Sequence, residues 1–241
     1  MSTPFDEASA DFVDRLGMRV FKIPSGEVTN HPLLAHIARK RKPVILSTGM
    51  STLAEVAAAV RVLRAAGARS LSLLHCVSSY PAPAVDVNLR AMDTMAQRFG
   101  LPVGYSDHTL GTEVAFAAAA RGARILEKHF TLDKRFPGPD HAMSLSPAEL
   151  AALARGLKAV AASLGNGVKA PRPCERDTRR VVRRSLVAAR DLEAGRRLTR
   201  ADVAIKRPGT GISPTELGRL LGRRLKRAVR ADDLFRWSGL R

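Results

Sequence analysis

The sequence has few cysteines, few aromatic residues and no long apolar run, and each shortage excludes a class of protein. Cys76 and Cys174 are its only cysteines, and neither belongs to a Cys-x-x-Cys pair. A disulfide framework and a zinc finger are therefore excluded. No apolar run approaches the roughly 18 residues of a membrane span, and no signal-peptide pattern opens the chain. We expect a cytoplasmic protein with no membrane partner.

Acidic residues are scarce in the last third of the chain. Residues 170–241 carry 20 basic and 8 acidic side chains, which is most of the formal net charge of +18. Such an excess is typical of nucleic-acid-binding proteins. However, Phe235 and Trp237 are the only aromatic residues of this basic region. We therefore favour solvated arginine-rich helix faces and attraction for anionic substrates, and we expect no nucleic-acid partner.

Strand-like and helical apolar patterns alternate along the first 164 residues. The strand-like segments are 19–23, 43–47, 70–76, 101–106 and 123–129, and the helical ones are 6–16, 32–40, 52–66, 89–99, 112–121 and 147–164. This alternation predicts parallel strands joined by helical crossovers. The first strand is not followed by a glycine-rich fingerprint, which excludes a Rossmann domain.

Polar residues gather where each predicted strand ends, and a (β/α)8 barrel builds its active site at that end. Five units do not close a barrel, so the sheet is open or lacks its first strands. Residues 166–183 are rich in glycine, proline and charge, which indicates a linker after a first domain at 1–165. Residues 184–241 contain short apolar pieces and predict a separate, small, mainly β domain.

Two histidines stand at the ends of successive predicted strands. Period-two alternation puts His108 on the same face as Ser106, and His129 on the same face as Glu127. If the strands are neighbours, both imidazoles reach the barrel mouth, where Mn, Fe, Co or Zn are suitable metals. Asp140 adds a second acid nearby. The residues alone leave two alternatives open, a metal site and hydrogen-bonded core histidines.

The other histidines are weaker candidates. His75 also ends a strand but is flanked by apolar residues, so we interpret it as structural. His31, His36 and His141 fall on loops or at helix starts. The first two receive the same interpretation, whereas the role of His141 stays open.

An anion-binding cradle is predicted after the first strand. Lys22 and the turn Ser25-Gly26-Glu27 combine a cation, a hydroxyl group and exposed backbone N–H groups. The segments 47–49 and 78–80 add further hydroxyl groups to the same edge of the sheet. Serine, threonine and glycine are also ordinary helix-capping residues, so the prediction rests on the whole set.

Taken together, the motifs resemble those of the sialic acid (nonulosonate) synthases. The first domain contains STPFD, FKIPSGEVTNHPLL, ILSTGMSTLAEV, LLHCVSSYPAP, GYSDHTLGTEVAFAAAARGARILEKHFTLD and PGPDHAMSLSP, and the tail RRSLVAARDLEAGRRLTRADVAIKRPGTGISP resembles an antifreeze-like (SAF) domain. The resemblance implies an incomplete (β/α)8 TIM barrel of about five units followed by the SAF domain. It also implies condensation of phosphoenolpyruvate with an N-acyl hexosamine, such as N-acetylmannosamine, to a nine-carbon 2-keto acid and phosphate.

The resemblance further implies a divalent cofactor, Mn²⁺ with Mg²⁺ or Co²⁺ as alternatives, and a homodimer whose SAF domain caps the partner's barrel. The implied roles are metal ligands at His108 and His129, catalytic groups at Glu27 and Asp140, phosphoenolpyruvate contacts at Thr3, Lys22, Ser25, Ser78, Tyr80 and Ser106, and sugar contacts at Tyr80, Asp140 and Arg207. At position 78 some family members have asparagine.

Thr3 matches the end of the third strand in this family. We therefore expect that three N-terminal β/α units of the family, with the catalytic and phosphate-binding residues they carry, have no counterpart in this sequence. The alternative to a synthase is accordingly a non-catalytic remnant, or a subunit that needs a separate N-terminal half.

Overall fold

Side-chain caps determine where the long helices begin. Thr52 and Glu55 form a reciprocal capping box ahead of the helix Leu53–Ala65. Ser146 and Glu149 form a second one ahead of the last helix of this region, which also has proline at its first turn. Each box satisfies backbone N–H groups that a helix start leaves unpaired. The helices therefore start close to where the sequence predicts them.

The computed structural model describes residues 1–241 as two compact units, Met1–Gly167 and Val168–Arg241. No helix in the chain combines the length and apolar character needed to cross a membrane. The elements of the first unit are α1 Glu7–Arg15, β1 Phe21–Ile23, α2 His31–Arg39, β2 Val44–Ser47, α3 Leu53–Ala65, β3 Leu71–His75, α4 Ala91–Phe99, β4 Val103–Asp107, α5 Glu113–Ala120, β5 Leu126–Lys128 and α6 Pro147–Leu164.

The five strands of the first unit form one parallel sheet in the order β1-β2-β3-β4-β5. Each strand pairs with the next along the chain, and helices connect them, as in part of a (β/α)8 barrel. The predicted fold class, an incomplete barrel of about five β/α units, is confirmed. Several strands begin later than their apolar patterns: β5, for example, starts at Leu126 rather than at residue 123. Residues 121–122 form a turn, and 123–125 are irregular.

The two faces of the sheet differ in chemistry. Phe21, Leu46, Leu73 and Tyr105 belong to the main apolar core of the unit, together with side chains from α2, α3 and α4. The residues between them in the strands point to the opposite face, because side chains alternate along a strand. Lys22 is one of these. Polar groups therefore collect on one face and at its carboxyl edge.

The second unit is built around a short antiparallel pair of strands. Its elements are α7 Arg176–Val182, β6 Ser185–Ala188, β7 Val203–Lys206 and α8 Leu217–Leu220, with isolated bridges Val187↔Leu234, Leu192↔Val229, Arg197↔Arg224 and Leu225↔Leu240. These bridges confirm the predicted small, mainly β SAF domain. Helix α7 lies within the region 166–183, for which the sequence analysis predicts only a linker.

A buried carboxylate organises the second unit. Asp202 has no exposed surface and accepts hydrogen bonds from Arg190, Arg196 and Thr199. Burial alone would raise the pKa of this carboxyl group, but the bonds from Arg190, Thr199 and Arg196 outweigh that effect and hold the pKa well below its usual range. Around it, Leu186, Phe235 and eight other apolar residues form the core of the unit.

Candidate functional site

A buried lysine and two strand-end side chains form the centre of the site. The Lys22 side chain is 8% exposed, and its Nζ lies 3.3 Å from Glu127 Oε1. The Ser106 hydroxyl donates to the same oxygen at 2.7 Å. The only other acceptor for the ammonium group is the carbonyl of Ile23, at 3.4 Å. Because an ammonium group has three donors, Lys22 can bind an additional anionic partner.

Two loops meet at the same carboxyl edge of the sheet. The hydroxyl oxygens of Ser25, after β1, and Ser78, after β3, lie 3.0 Å apart. Between them runs Gly49, where an added Cβ would lie 2.4 Å from Ser25 Cβ and from Ser78 Oγ. The Gly49 N–H donates to the Cys76 Sγ at 3.1 Å, and burial raises the pKa of that thiol. The turn after β2 is therefore held tightly against both hydroxyl groups.

The two histidines form an aromatic group with Tyr80. The ring centroids of His108 and His129 are 5.4 Å apart in an edge-on arrangement. The Tyr80 ring is 4.3 Å from that of His108 and 5.7 Å from that of His129. Burial raises the pKa of the Tyr80 phenol, and the charges of Cys76, Asp140 and Glu127 add to the shift. Tyr80 therefore stays a neutral hydrogen-bonding group.

The tautomer of His108 is fixed by the backbone. Its Nδ1 lies 2.6 Å from the carbonyl oxygen of Val77; since a carbonyl only accepts, Nδ1 carries the proton and Nε2 has a free lone pair. Burial lowers the pKa of His108 despite the Val77 bond, and His129 lowers it further. A neutral imidazole whose second nitrogen is bonded to the backbone is the usual form of a metal-ligating histidine.

The residues present fit a divalent cation held by two imidazoles and otherwise by water or substrate oxygen atoms. The structure has no group of three or more His, Cys, Asp and Glu side chains arranged around a common point. Asp140 contacts the pair, with Oδ2 3.5 Å from Nδ1 of His129. A site with two protein ligands leaves several coordination positions open, as catalytic metal sites require.

The loop after β5 presents Asp140. Its backbone carbonyl accepts the Ser144 hydroxyl at 2.6 Å, and the neighbouring His141 bonds through Nδ1 to the Thr131 hydroxyl at 2.7 Å. His141, whose role the sequence leaves open, therefore anchors this loop. His75 is also structural, as predicted, because its Nε2 donates to the carbonyl of Val87 at 2.6 Å.

Three other predicted site residues lie apart from this cluster or are already bonded to another side chain. Glu27 accepts the side-chain amide of Asn30 at 2.7 Å, which leaves its second oxygen free. Ser2 pairs with β1, where Lys22 N donates to the Ser2 carbonyl, and Thr3 is the next residue. Arg207 is exposed in the second unit, just after β7.

Two residues have contacts in the site that the sequence does not predict; Glu127 is expected only as an acid near the histidines, and Cys76 has no expected role. Glu127 neutralises Lys22 and binds Ser106, and Cys76 holds the turn at Gly49. Glu127 carries a recognisable signal, an acid two positions before a strand-end histidine and so on the same face. Cys76 carries no signal of that kind.

These features define an enzyme of the (β/α)-barrel type, with an anion-binding cluster and a histidine pair at the carboxyl ends of its strands. The chain belongs to the NeuB family, whose model matches residues 1–169, and residues 183–241 match the SAF domain. It is 47% identical over 242 residues to the N,N'-diacetyllegionaminic acid synthase of Legionella pneumophila, covering 99% of this chain and 68% of that protein.

Two solved structures extend the comparison. The N-acetylneuraminic acid (sialic acid) synthetase of Leptospira borgpetersenii, in complex with citrate, matches with a TM-score of 0.68 and 37% identity, over 73% of this chain and 61% of that one. The spore coat polysaccharide biosynthesis protein SpsE of Bacillus subtilis matches with a TM-score of 0.66 and 33% identity, over 100% of this chain and 73% of that one. The chain thus spans about two thirds of the length of these relatives.

Proposed function

We propose that the protein condenses phosphoenolpyruvate with an N-acyl hexosamine, giving a sialic acid-type nine-carbon 2-keto acid and phosphate. The observation that carries the proposal is that the buried ammonium group of Lys22 and the Ser106 hydroxyl share one oxygen of Glu127. The pairs Ser25–Ser78 and His108–His129 lie at the same carboxyl edge of the sheet. One part of this cluster suits a phosphorylated carboxylate, and the other suits a carbonyl oxygen that must be activated. The synthases among its relatives support the same class of reaction.

Phosphoenolpyruvate is assigned to the lysine end of the cluster. Lys22 supplies the charge, and Ser25, Ser78 and Ser106 supply hydroxyl donors; the family resemblance adds Thr3 and Tyr80. Charge-assisted bonds of this kind are about twice as strong as neutral ones. Several converging donors also fix the orientation of the substrate, which lowers the entropic part of the barrier.

The sugar is assigned to the histidine end. His108 and His129 would hold a divalent cation, Mn²⁺ in this proposal, and its contribution when bound is Lewis acidity toward the aldehyde oxygen of the open-chain sugar. Tyr80 and Asp140 contact the histidine rings and would bind the sugar hydroxyls, and the family resemblance adds Glu27. Carboxylates close to the reacting carbons can also accept and return protons.

The bond changes balance without a further reactant. C3 of phosphoenolpyruvate attacks the aldehyde carbon and forms the new carbon–carbon bond, and water adds to C2. The resulting tetrahedral carbon loses phosphate with cleavage of the C2–O bond, which leaves a ketone. The role of Lys22 and the serine hydroxyls is to hold the phosphate and carboxylate groups throughout.

The proposal includes a homodimer in which Arg207 of one protomer contacts the N-acyl group of the sugar in its partner's barrel. Arg207 is exposed and belongs to the strongly basic second unit. Sedimentation analysis of the full chain tests this part, and a monomer at micromolar concentration would reject it.

The decisive experiment measures phosphate release by the full chain from phosphoenolpyruvate, with Mn²⁺ and either N-acetylmannosamine or a sugar with two N-acetyl groups. The second sugar is included because the Legionella relative is an N,N'-diacetyllegionaminic acid synthase. We expect release that depends on the sugar, stops with a chelator and is absent in His108→Ala but not in His31→Ala. Sugar-independent release, or full activity of His108→Ala, would reject the proposal. Binding of phosphoenolpyruvate and Mn²⁺ without turnover would favour the alternative, a non-catalytic chain or one subunit of an enzyme.

A further inference from the structure

We propose that Asp107, Lys128 and Thr109 form a buried clamp that positions the histidine pair. The clamp affects His129 more than His108. The inference rests on the proposed metal site and adds to it three positioning residues that contact neither substrate nor metal. It starts from a buried ion pair that the proposed reaction does not use.

The clamp joins the ends of two neighbouring strands. In the register of β4 and β5, Asp107 lies directly opposite Lys128. The histidines follow one residue later on each strand. Because side chains alternate, Asp107 and Lys128 point away from the face that carries His108 and His129. The clamp therefore lies on the opposite face of the sheet from the histidine pair, one residue earlier in the sequence of each strand.

Both carboxylate oxygens of Asp107 and the ammonium group of Lys128 have hydrogen-bond partners. Asp107 Oδ2 accepts from Lys128 Nζ at 2.8 Å, and Oδ1 accepts the backbone N–H and the hydroxyl of Thr109 at 2.9 and 2.8 Å. Lys128 Nζ also donates to the Thr109 carbonyl at 2.6 Å. Asp107 is 0% exposed and the Lys128 side chain 4%. A buried pair is costly to desolvate, and one that is satisfied in this way specifies a single geometry rather than adding stability alone.

The clamp matters more for His129 than for His108. His108 has its own anchor, the bond from Nδ1 to the Val77 carbonyl. The polar contact of the His129 ring is with the carboxylate of Asp140, at 3.5 Å on a half-exposed loop residue. Strand β5 is three residues long. Beyond it, the bond from Leu145 N to the His129 carbonyl holds the backbone but not the ring. Loss of the clamp should therefore displace His129 and leave His108 in place.

The experiment compares Lys128→Met and Asp107→Asn with the wild-type full chain. Mn²⁺ affinity is measured by calorimetry without substrates, at a temperature where urea unfolding shows each variant to be folded. We expect a loss of about 10- to 100-fold, as is usual for residues that orient metal ligands. Lys134→Met is the matched control: this lysine also bonds to a single carboxylate, that of Glu149, but is exposed, and its removal should leave the affinity unchanged.

A second readout needs no metal. Long-range proton–nitrogen NMR spectra of the six imidazoles, assigned with His→Gln variants, should show shifted or broadened His129 signals in Lys128→Met and unchanged His108 signals. Wild-type affinity together with unchanged His129 signals in a folded variant would overturn the proposal, because a merely structural pair would lower stability alone.

Two other experimental results would also decide whether the clamp positions His129. If Lys128→Met does not fold, Asp107→Asn and Thr109→Val test the proposal by the same two measurements. Thr109→Val removes one hydroxyl bond and is expected to have the smaller effect. If the wild-type chain binds no Mn²⁺, the proposed metal site fails, and the metal-free spectra still decide whether the clamp positions His129.

Discussion

The hydroxyl oxygens of Ser25 and Ser78 lie 3.0 Å apart although 53 residues separate them in the sequence. They belong to the turns after β1 and β3, which are not neighbours in the sheet. The turn after the intervening strand β2 passes between them, and Gly49 is the residue of closest approach. Three successive strand ends therefore form one surface of hydroxyl and N–H groups, and its geometry depends on a residue that has no side chain.

The first prediction concerns Gly49→Ala. The new Cβ would lie 2.4 Å from Ser25 Cβ and Ser78 Oγ, and the residue has a φ of +41°. We expect destabilisation by about 1–3 kcal/mol, the usual cost of overpacking, and at least a tenfold loss of phosphoenolpyruvate affinity in calorimetry. Gly218→Ala is the control, since its Cβ would meet nothing within 4 Å and it lies in the second unit. Wild-type affinity in a folded Gly49→Ala variant would show that the Ser25–Ser78 pair does not bind substrate.

The second prediction concerns Lys22→Met. Hydrogen bonds to charged groups contribute about 1.5–3 kcal/mol, so loss of the ammonium group should weaken phosphoenolpyruvate binding by about 10- to 100-fold. Glu127, its partner, is partly exposed, and the variant should therefore stay folded. Calorimetric titration checks the affinity, and Lys134→Met controls for the change in net charge. Equal affinities of the two variants would contradict the assignment.

The third prediction separates the ring of Tyr80 from its hydroxyl group. The ring packs 4.3 Å from His108 and 5.7 Å from His129, and Tyr80→Phe keeps these contacts while Tyr80→Ala removes them. We expect Tyr80→Ala to lower Mn²⁺ affinity several-fold and Tyr80→Phe to leave it unchanged, with weaker phosphoenolpyruvate binding in both. The result would contradict the packing role if both variants bound Mn²⁺ like the wild type.

The fold could be predicted largely because its signals are local. Alternating strand-like and helical patterns predict a parallel sheet, and period-two alternation places His108 and His129 on one face, as the structure has them. Lys22 and Ser25 are likewise found in one cluster, because the carboxyl ends of parallel strands share one edge.

Contacts between distant segments could not be predicted. The bond between Gly49 N and Cys76 Sγ joins two strand ends through a residue type with no polar signal. Lys22 and Glu127 stand at opposite ends of the sheet order, and only the curvature of the sheet brings their side chains together. Helix α7 escaped prediction for a different reason. Its seven residues are mostly charged and bury none of their side chains, so they show no apolar periodicity.

The last prediction concerns Asp202, the carboxylate at the centre of the second unit. Its pKa in the folded chain lies well below the ordinary carboxyl value of 3.8. A carboxyl group of this kind stabilises the fold fully above its unfolded pKa, and the stabilisation is lost as the pH falls toward the folded pKa. Asp202→Asn should destabilise the unit by about 3 kcal/mol at pH 7, since several bonds to a charged group are weakened. Below pH 4 the difference from the wild type should shrink.

Trp237, the only tryptophan in the chain, lies in this unit. Its fluorescence can follow the urea unfolding of the unit at pH 7, 5 and 3. Asp232→Asn is the matched control, because its pair with Lys206 is exposed on both sides and such pairs contribute less than about 1 kcal/mol. Asp232 also has a φ of 70°, a conformation that asparagine tolerates. If both variants lost the same stability, or if the Asp202→Asn difference did not change with pH, Asp202 would not be the charged centre of the unit.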